Sequence, residues 1–125
     1  MNLIGVGADI EKIHRFKRIN QKKHHNFLNK IYTKSEIDYC FQNINFSERL
    51  AAIFSGKEAI IKALSDIGFI NAHRKKIRII TNNYNGYDAI LPYERLIVKL
   101  DISVSEDSAI AYSIILIIMY KEVNN

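Results

Sequence analysis

A chain of 125 residues, nearly half of them hydrophobic, is long enough for one hydrophobic core without disulfide or metal staples, so one domain spanning residues 1–125 is expected. Its single cysteine, Cys40, excludes an internal disulfide and fits a reducing compartment, the cytoplasm. The formal charge of +5 favours an acidic partner without naming its kind.

In chain order, Leu3, Val6 and Ile10 form a strand pattern with Gly5 and Gly7 between them, and two glycines just ahead of an acid mean that something must approach the backbone there. No basic stretch precedes this apolar run and Asp9 interrupts it, so no signal peptide is expected. If the strand continues, Asp9 and Glu11 point to the same side, where two carboxylates repel unless a cation lies between them. The alternative is that the strand stops at Asp9, which then caps the helix that follows.

Residues 12–34 hold no acid against eight Lys or Arg and three of the four histidines. Ile13, Phe16 and Ile19 recur at helical spacing, so the segment is expected to pack on the core and turn Lys12, Arg15, Lys17 and Arg18 outward. Nucleic acid is one partner for such a patch, but no helix-turn-helix, RNP or zinc pattern accompanies it. His24 and His25 lack a matching Cys/His pair at a metal spacing and are assigned to a loop. Thr33-Lys34-Ser35-Glu36 is a capping box that starts a short helix carrying Ile37, Tyr39, Cys40 and Phe41, with Cys40 a packed thiol.

The longest periodic stretch is expected to begin near Asn45, capped by that side chain with Glu48 three residues on, and to end before Gly68. At about 100° per residue, Phe46, Leu50, Ile53, Phe54, Ile60, Ile61 and Leu64 make one apolar stripe. Ala51, Ser55, Ala59 and Ala63 line a second flank, short enough for another element or a ligand to come close. Lys57 falls inside the stripe, which solvation does not explain. Glu58 lies at its edge one turn from Lys62; on an arbitrary helix such a pair is a solvated surface pair.

Beyond this helix, residues 77–81 alternate as a strand and residues 82–86 form a turn with the Asn85-Gly86 hairpin signal. Two further strands follow at residues 95–103 and 108–119, joined across residues 104–107. The apolar run at residues 109–119 is well short of the roughly twenty residues of a membrane span, and its isoleucines read as a strand buried on both faces. Strands after helices, joined by hairpins, indicate an α+β fold.

Three stretches stand in the order and spacing found in the holo-[acyl-carrier-protein] synthases, the short bacterial 4'-phosphopantetheinyl transferases: Ile4-Gly5-Val6-Gly7-Ala8-Asp9-Ile10, Phe54-Ser55-Gly56-Lys57-Glu58-Ala59-Ile60-Ile61-Lys62-Ala63-Leu64, and Asp101-Ile102-Ser103-Val104-Ser105-Glu106-Asp107-Ser108-Ala109-Ile110-Ala111. The chain resembles that family over nearly its whole length. Specificity comes from the combination, since the acid after Gly-x-Gly or the Lys-Glu-Ala helix alone would be weak.

The resemblance implies an α+β 4'-phosphopantetheinyl transferase fold, an antiparallel sheet with a long central helix and short N-terminal helices. It implies magnesium-dependent transfer of 4'-phosphopantetheine from coenzyme A to a serine of apo-acyl carrier protein, releasing 3',5'-ADP, as in fatty acid biosynthesis. By the same likeness Asp9 and Glu58 are the metal-binding acids, Lys62 faces the diphosphate, and Ser103, Ser105 and Gly86 belong to the coenzyme site. Arg15, with Lys12 and Arg18, is the contact to acyl carrier protein. The serine proton goes to a metal-linked water held by Glu58 or to Glu58 itself. Asp9-Ile10-Glu11 also looks like the Asp-x-Glu metal signature of the larger two-domain transferases, which makes Glu11 a further candidate ligand; otherwise Glu11 begins the first helix, where a carboxylate favours the dipole. A short chain must borrow half of its site from another copy, which implies a homotrimer with interfacial sites and the run at residues 109–119 near its centre.

Three positions depart from the family pattern. Ser-x-Ser-His is replaced by Ser103-Val104-Ser105-Glu106, Gly-Lys-Pro by Gly86-Tyr87-Asp88, and the basic residue before Phe54 by Ile53. They set two alternatives beside the ordinary enzyme: altered coenzyme or carrier preference, and a weakened homologue that binds without efficient turnover. A basic nucleic-acid-binding module rests only on the patch before Lys34. Because Asp9, Glu58 and Lys62 are all retained, an active enzyme is expected.

Overall fold

In the computed structural model of the protein, which describes residues 3–84 and 86–118, the opening strand does not stop at Asp9. Strand β1 runs Ile4–Lys12, and its alternation puts Gly5, Gly7, Asp9 and Glu11 on one face and Ile4, Val6, Ala8 and Ile10 on the other. The readings in which Asp9 caps a helix, or Glu11 begins one, are overturned. The backbone stays extended through Lys12 because it pairs antiparallel, residue for residue, with the last strand, and only then turns into a 3-10 turn at Ile13–Phe16 that buries Ile13 and Phe16.

Three helices follow: α1 at His25–Ile31, α2 at Lys34–Phe41 and α3 at Phe46–Asp66. His25 therefore opens a helix rather than lying in a loop. The turn before it is closed by the Asn20 N–H, which donates to His24 Nδ1 at 2.8 Å, and by the His24 N–H, which donates to the Asn20 carbonyl at 2.9 Å. The capping box forms as expected, the Glu36 N–H donating to Thr33 Oγ1 and the Thr33 N–H to Glu36 Oε1. Helix α3 has the expected bounds, but the Asn45 side chain makes no capping bond; its φ of −87° and ψ of 38° are not the extended conformation that aims a cap at the first turn.

The expected turn joins β2 (Arg78–Thr81) to a strand not singled out in the sequence, β3 (Tyr87–Ile90), in an antiparallel hairpin, with Asn82 Oδ1 accepting from the Tyr84 and Gly86 N–H groups at 3.0 Å each. Strands β4 (Leu96–Val104) and β5 (Ser108–Ile117) complete a separate three-stranded antiparallel sheet in the order β1-β5-β4.

Helix α3 lies directly on β1, and glycine makes that possible. A Cβ at Gly7 would stand 2.0 Å from the Ala59 carbonyl oxygen, and one at Gly5 would stand 2.1 Å from that of Ala63. The small flank of α3 is thus matched to the glycine face of β1, backbone against backbone. Around this contact Leu50, Ile53, Ile60, Leu64, Ile13, Phe16 and Ile115 form the core, each worth about 1.5–3 kcal/mol when fully buried.

The last strand departs from expectation. Of β5, Ser108 and then Ala109, Ala111, Ser113 and Ile115 on the side of the sheet that meets α3 are buried, while Ile110, Tyr112, Ile114 and Leu116 are exposed on the other face. An apolar run was legible, but α3 packs on one side of the sheet only. With Ile4, Val6 and Ile10 of β1 and Ile97 of β4, these residues make an apolar face, interrupted on β4 by Lys99, Asp101 and Ser103, on which Val6 is 57 % and Ile10 is 62 % exposed. Met119, the end of the expected run, lies outside the described residues. No helix among the described residues is long and apolar enough to cross a membrane.

Candidate functional site

The glycine contact brings Lys62 onto Asp9. Lys62 Nζ donates to Asp9 Oδ1 at 3.1 Å and to the Ala8 carbonyl at 2.8 Å, which uses two of its three protons. The Asp9 side chain is only 12 % exposed against 54 % for Lys62, so the base forms the rim of a site in which the acid is recessed. Asp9 Oδ2 is buried and has no hydrogen-bond partner. An acceptor left in that state costs roughly 1–3 kcal/mol unless a donor or cation reaches it.

Strand period places Glu11 beside Asp9 on the same face, also buried. Burial first, and then the adjoining Asp9 carboxylate, push the Glu11 carboxyl up to about 7; the Arg15 guanidinium opposes this and Glu58 adds to it. Three carboxylates therefore feel one another in this region. Arg15 Nη1 donates to Glu11 Oε1 at 3.0 Å, a pair at helical spacing across the strand-to-turn junction.

Glu58 and Lys62 share a partly buried face of α3, as expected, but turn to different partners. Lys62 goes to Asp9, whereas Glu58 Oε1 accepts from Nε of Arg74. Arg74 opens the 3-10 turn Arg74–Lys76 and was not singled out in the sequence, where it is one basic residue in an aperiodic stretch. It is fixed from beneath. Its carbonyl accepts from Lys57 Nζ at 2.8 Å, and the same ammonium donates to the Ile31 carbonyl at 2.7 Å and meets Glu36 Oε1 at 2.7 Å.

That arrangement explains the lysine inside the apolar stripe. Lys57 is wholly buried, with three protons and three acceptors, and Glu36, equally buried, also receives the Ile79 N–H at 2.7 Å. Burial lowers the Lys57 pKa from the usual lysine value and the Glu36 carboxylate works against that fall. One ion pair thus cross-braces the ends of α1 and α2, the middle of α3, the start of β2 and the turn that carries Arg74. Glu36 was legible only as a capping residue; the signal for its second role was Lys57, which demanded an acid.

The remaining expected site residues are not gathered here. Ser103 pairs in register with Ile110, and Ile110 with Ile10, so Ser103 lies on the open face of the sheet, opposite Asp9. Gly86 belongs to the β2–β3 hairpin, which reaches the sheet through β4, the strand not paired with β1. Ser105 sits in the β4–β5 turn, where its hydroxyl donates to the Ser108 carbonyl at 3.1 Å, and Glu106 is exposed beside it. That turn also holds the start of the basic arm: Lys12 Nζ donates to Ser108 Oγ at 3.3 Å and lies 3.9 Å from Asp107. Lys12, Arg15 and Arg18 are exposed, yet Lys12 and Arg15 are paired to acids outside the arm, which the acid-free composition of residues 12–34 did not reveal.

Magnesium asks for hard oxygen donors and usually takes one or two protein carboxylates, completing its shell from phosphate oxygens and water. Asp9, with its partnerless buried oxygen, and the neighbouring Glu11 and Glu58 fit that demand. Among the described residues no three His, Cys, Asp or Glu side chains form a cage by themselves. The donor set suits a cation shared with a substrate rather than one enclosed by the protein.

A family model described as the 4'-phosphopantetheinyl transferase superfamily matches residues 5–113. Among curated relatives, the holo-[acyl-carrier-protein] synthase of Thermodesulfovibrio yellowstonii is 35 % identical over 89 % of this chain and 96 % of its own length. That of Clostridium tetani is 36 % identical over 90 % and 95 %. The fold matches the crystal structure of holo-[acyl-carrier-protein] synthase from Neisseria meningitidis with a TM-score of 0.73 and 25 % identity, covering 89 % of this chain and 96 % of that one. It matches the Helicobacter pylori enzyme in complex with coenzyme A with a TM-score of 0.67 and 20 % identity over 90 % and 98 %. Match to the superfamily over most of the chain, and to named synthases along nearly their full length, shows that the chain belongs to the 4'-phosphopantetheinyl transferase superfamily and, within it, to the holo-[acyl-carrier-protein] synthases.

Proposed function

We propose that this enzyme moves 4'-phosphopantetheine from coenzyme A to a serine of apo-acyl carrier protein in the cytoplasm, with Mg2+ as its cation and 3',5'-ADP as the released product. The observation that carries this reading is the meeting of Asp9 and Lys62 across the glycine contact, with Glu58 one turn away on the same helix. Relatives crystallised with coenzyme A support that molecule as the donor.

Asp9 and Glu58 would hold the cation, with Glu11 as the third carboxylate available to it, and the bound ion would supply positive charge to the diphosphate. Lys62, fixed by the Ala8 carbonyl and Asp9, keeps one proton for an anionic oxygen and stabilises charge growing on the leaving phosphate. Glu58 is the carboxylate suited to receive the serine proton, directly or through one water. The serine belongs to the carrier, so no nucleophile is required of this chain. An acidic carrier would dock on the arm that exposes Lys12, Arg15 and Arg18. Because Arg15 is also bonded to Glu11, docking there touches the site itself.

The open apolar face supports assembly as a homotrimer. Val6, Ile10, Ile97, Ile110 and Ile114 are large apolar side chains exposed side by side, the kind of patch that marks an interface, and burying it against neighbours is the ordinary remedy. Ser103 shares that face and Gly86 lies toward its far edge, so both would serve the Asp9 site of an adjoining chain rather than their own. Light scattering at micromolar concentration should return the mass of three chains; a monomer with full activity would contradict the shared site.

The function is tested by incubating the protein with coenzyme A, Mg2+ and apo-carrier protein. Mass spectrometry should show the carrier gaining one phosphopantetheinyl group. A carrier left unmodified although coenzyme A binds would favour the weakened homologue instead.

A further inference from the structure

Transfer chemistry does not account for the ion pair between Arg74 and Glu58. Glu58 is read above as a cation ligand and proton acceptor, yet a guanidinium already occupies its Oε1. Arg74 is not a loosely held surface arginine. Its carbonyl is tied to the buried ammonium of Lys57 at 2.8 Å and accepts from the Ile77 N–H at 3.2 Å, so its backbone is held where the side chain meets Glu58. Glu58 is 17 % exposed and Arg74 is 44 % exposed, which leaves the pair less screened than one wholly in solvent.

An arginine bonded to Oε1 and a divalent cation bound to the same carboxylate are competing states. The guanidinium takes up one lone-pair site of the carboxylate and fixes its orientation, and its positive charge repels the ion, so each weakens the other's hold on Glu58. With Asp9 engaged by Lys62 and Glu11 by Arg15, each acid of the site is matched by one base in this structure, and Arg74 completes that set.

We propose that Arg74 is a positioning residue, an internal counter-ion that holds Glu58 until the divalent cation arrives and whose release from Glu58 sets the cation affinity of the site. The proposal rests on the reading of Asp9 and Glu58 as cation ligands. It makes the Lys57–Glu36 pair the anchor of a displaceable cation as well as a brace of the fold.

Mn2+ serves as the probe, titrated in the presence of coenzyme A but without carrier protein and followed by the paramagnetic resonance signal of the free ion, on the wild type, Arg74→Gln, Arg74→Lys and Asp9→Ala. Removing a partly exposed competing pair should tighten Mn2+ binding on the order of fivefold in Arg74→Gln, with Arg74→Lys between it and the wild type. Thermal unfolding should show Arg74→Gln folded, since a structural loss alone would leave Mn2+ affinity unchanged or weaker. Equal or weaker Mn2+ binding by folded Arg74→Gln overturns the proposal, while Asp9→Ala still abolishing that binding would leave the cation site standing. Mn2+ binding unaffected by Asp9→Ala overturns the cation site and the counter-ion together.

Discussion

Lys57→Met should cost about 3–5 kcal/mol of stability in urea unfolding, because it leaves the Glu36 carboxylate buried without its counter-charge. The Ile31 and Arg74 carbonyls lose their donor in the same step. A single domain has only about 5–15 kcal/mol in all, so the variant should approach unfolding at ordinary temperature. Glu36→Gln should also be severe, since Glu36 holds the Thr33 and Ile79 N–H groups in addition to Lys57. The double variant should lose clearly less than the sum of the two, as expected for partners in one buried pair. A loss below about 1 kcal/mol in Lys57→Met would mean that the lysine reaches solvent.

Gly7→Ala should reduce transfer by about a hundredfold, although it adds one methyl group and removes no functional side chain. That methyl would sit 2.0 Å from the Ala59 carbonyl oxygen and 2.7 Å from the Ala63 nitrogen, both backbone atoms that cannot rotate aside. Helix α3 must retreat from β1, carrying Glu58 and Lys62 away from Asp9. Overpacking of this kind typically costs about 1–3 kcal/mol, so the protein should remain folded while kcat/KM for carrier labelling falls. Gly5→Ala makes a similar clash with Ala63 one turn further from Glu58 and should cost comparable stability with a smaller loss of transfer. Wild-type kcat/KM in Gly7→Ala would show that the helix-to-strand distance does not govern the site.

What could be read from the sequence depended on how local its cause was. The bounds of α3, the Thr33 capping box, strand β2 and the turn after it follow from periodicity and turn chemistry within a few residues, and they stand as expected, whereas β3, four residues without a strong alternation, was not singled out. Whether Asp9 and Glu11 shared a face could not be decided locally, because the strand is prolonged by pairing with Ala109 and Ala111 a hundred residues away. Lys57 announced an anomaly without naming its solution, since Glu36 lies on another helix and reaches it only through packing. Arg74 left no trace because nothing in residues 74–76 distinguishes the arginine that turns to Glu58 from the lysines beside it. The isoleucines of β5 marked an apolar strand on both faces, yet sequence does not say that one face meets α3 and the other is left open.

Central to the account is that Asp9 works with Glu58 and Lys62 in phosphopantetheine transfer, and a single-turnover comparison of the wild type with Asp9→Ala addresses it most directly. Both proteins would be mixed with coenzyme A, Mg2+ and apo-carrier, and modified carrier counted by mass spectrometry over time, with far-ultraviolet circular dichroism confirming that the variant is folded. The wild type should convert the carrier to completion and stop when the cation is chelated. Asp9→Ala should be slower by on the order of 10³-fold, having lost a cation ligand and the partner that positions Lys62. Magnesium-dependent conversion by Asp9→Ala at close to the wild-type rate would contradict the account.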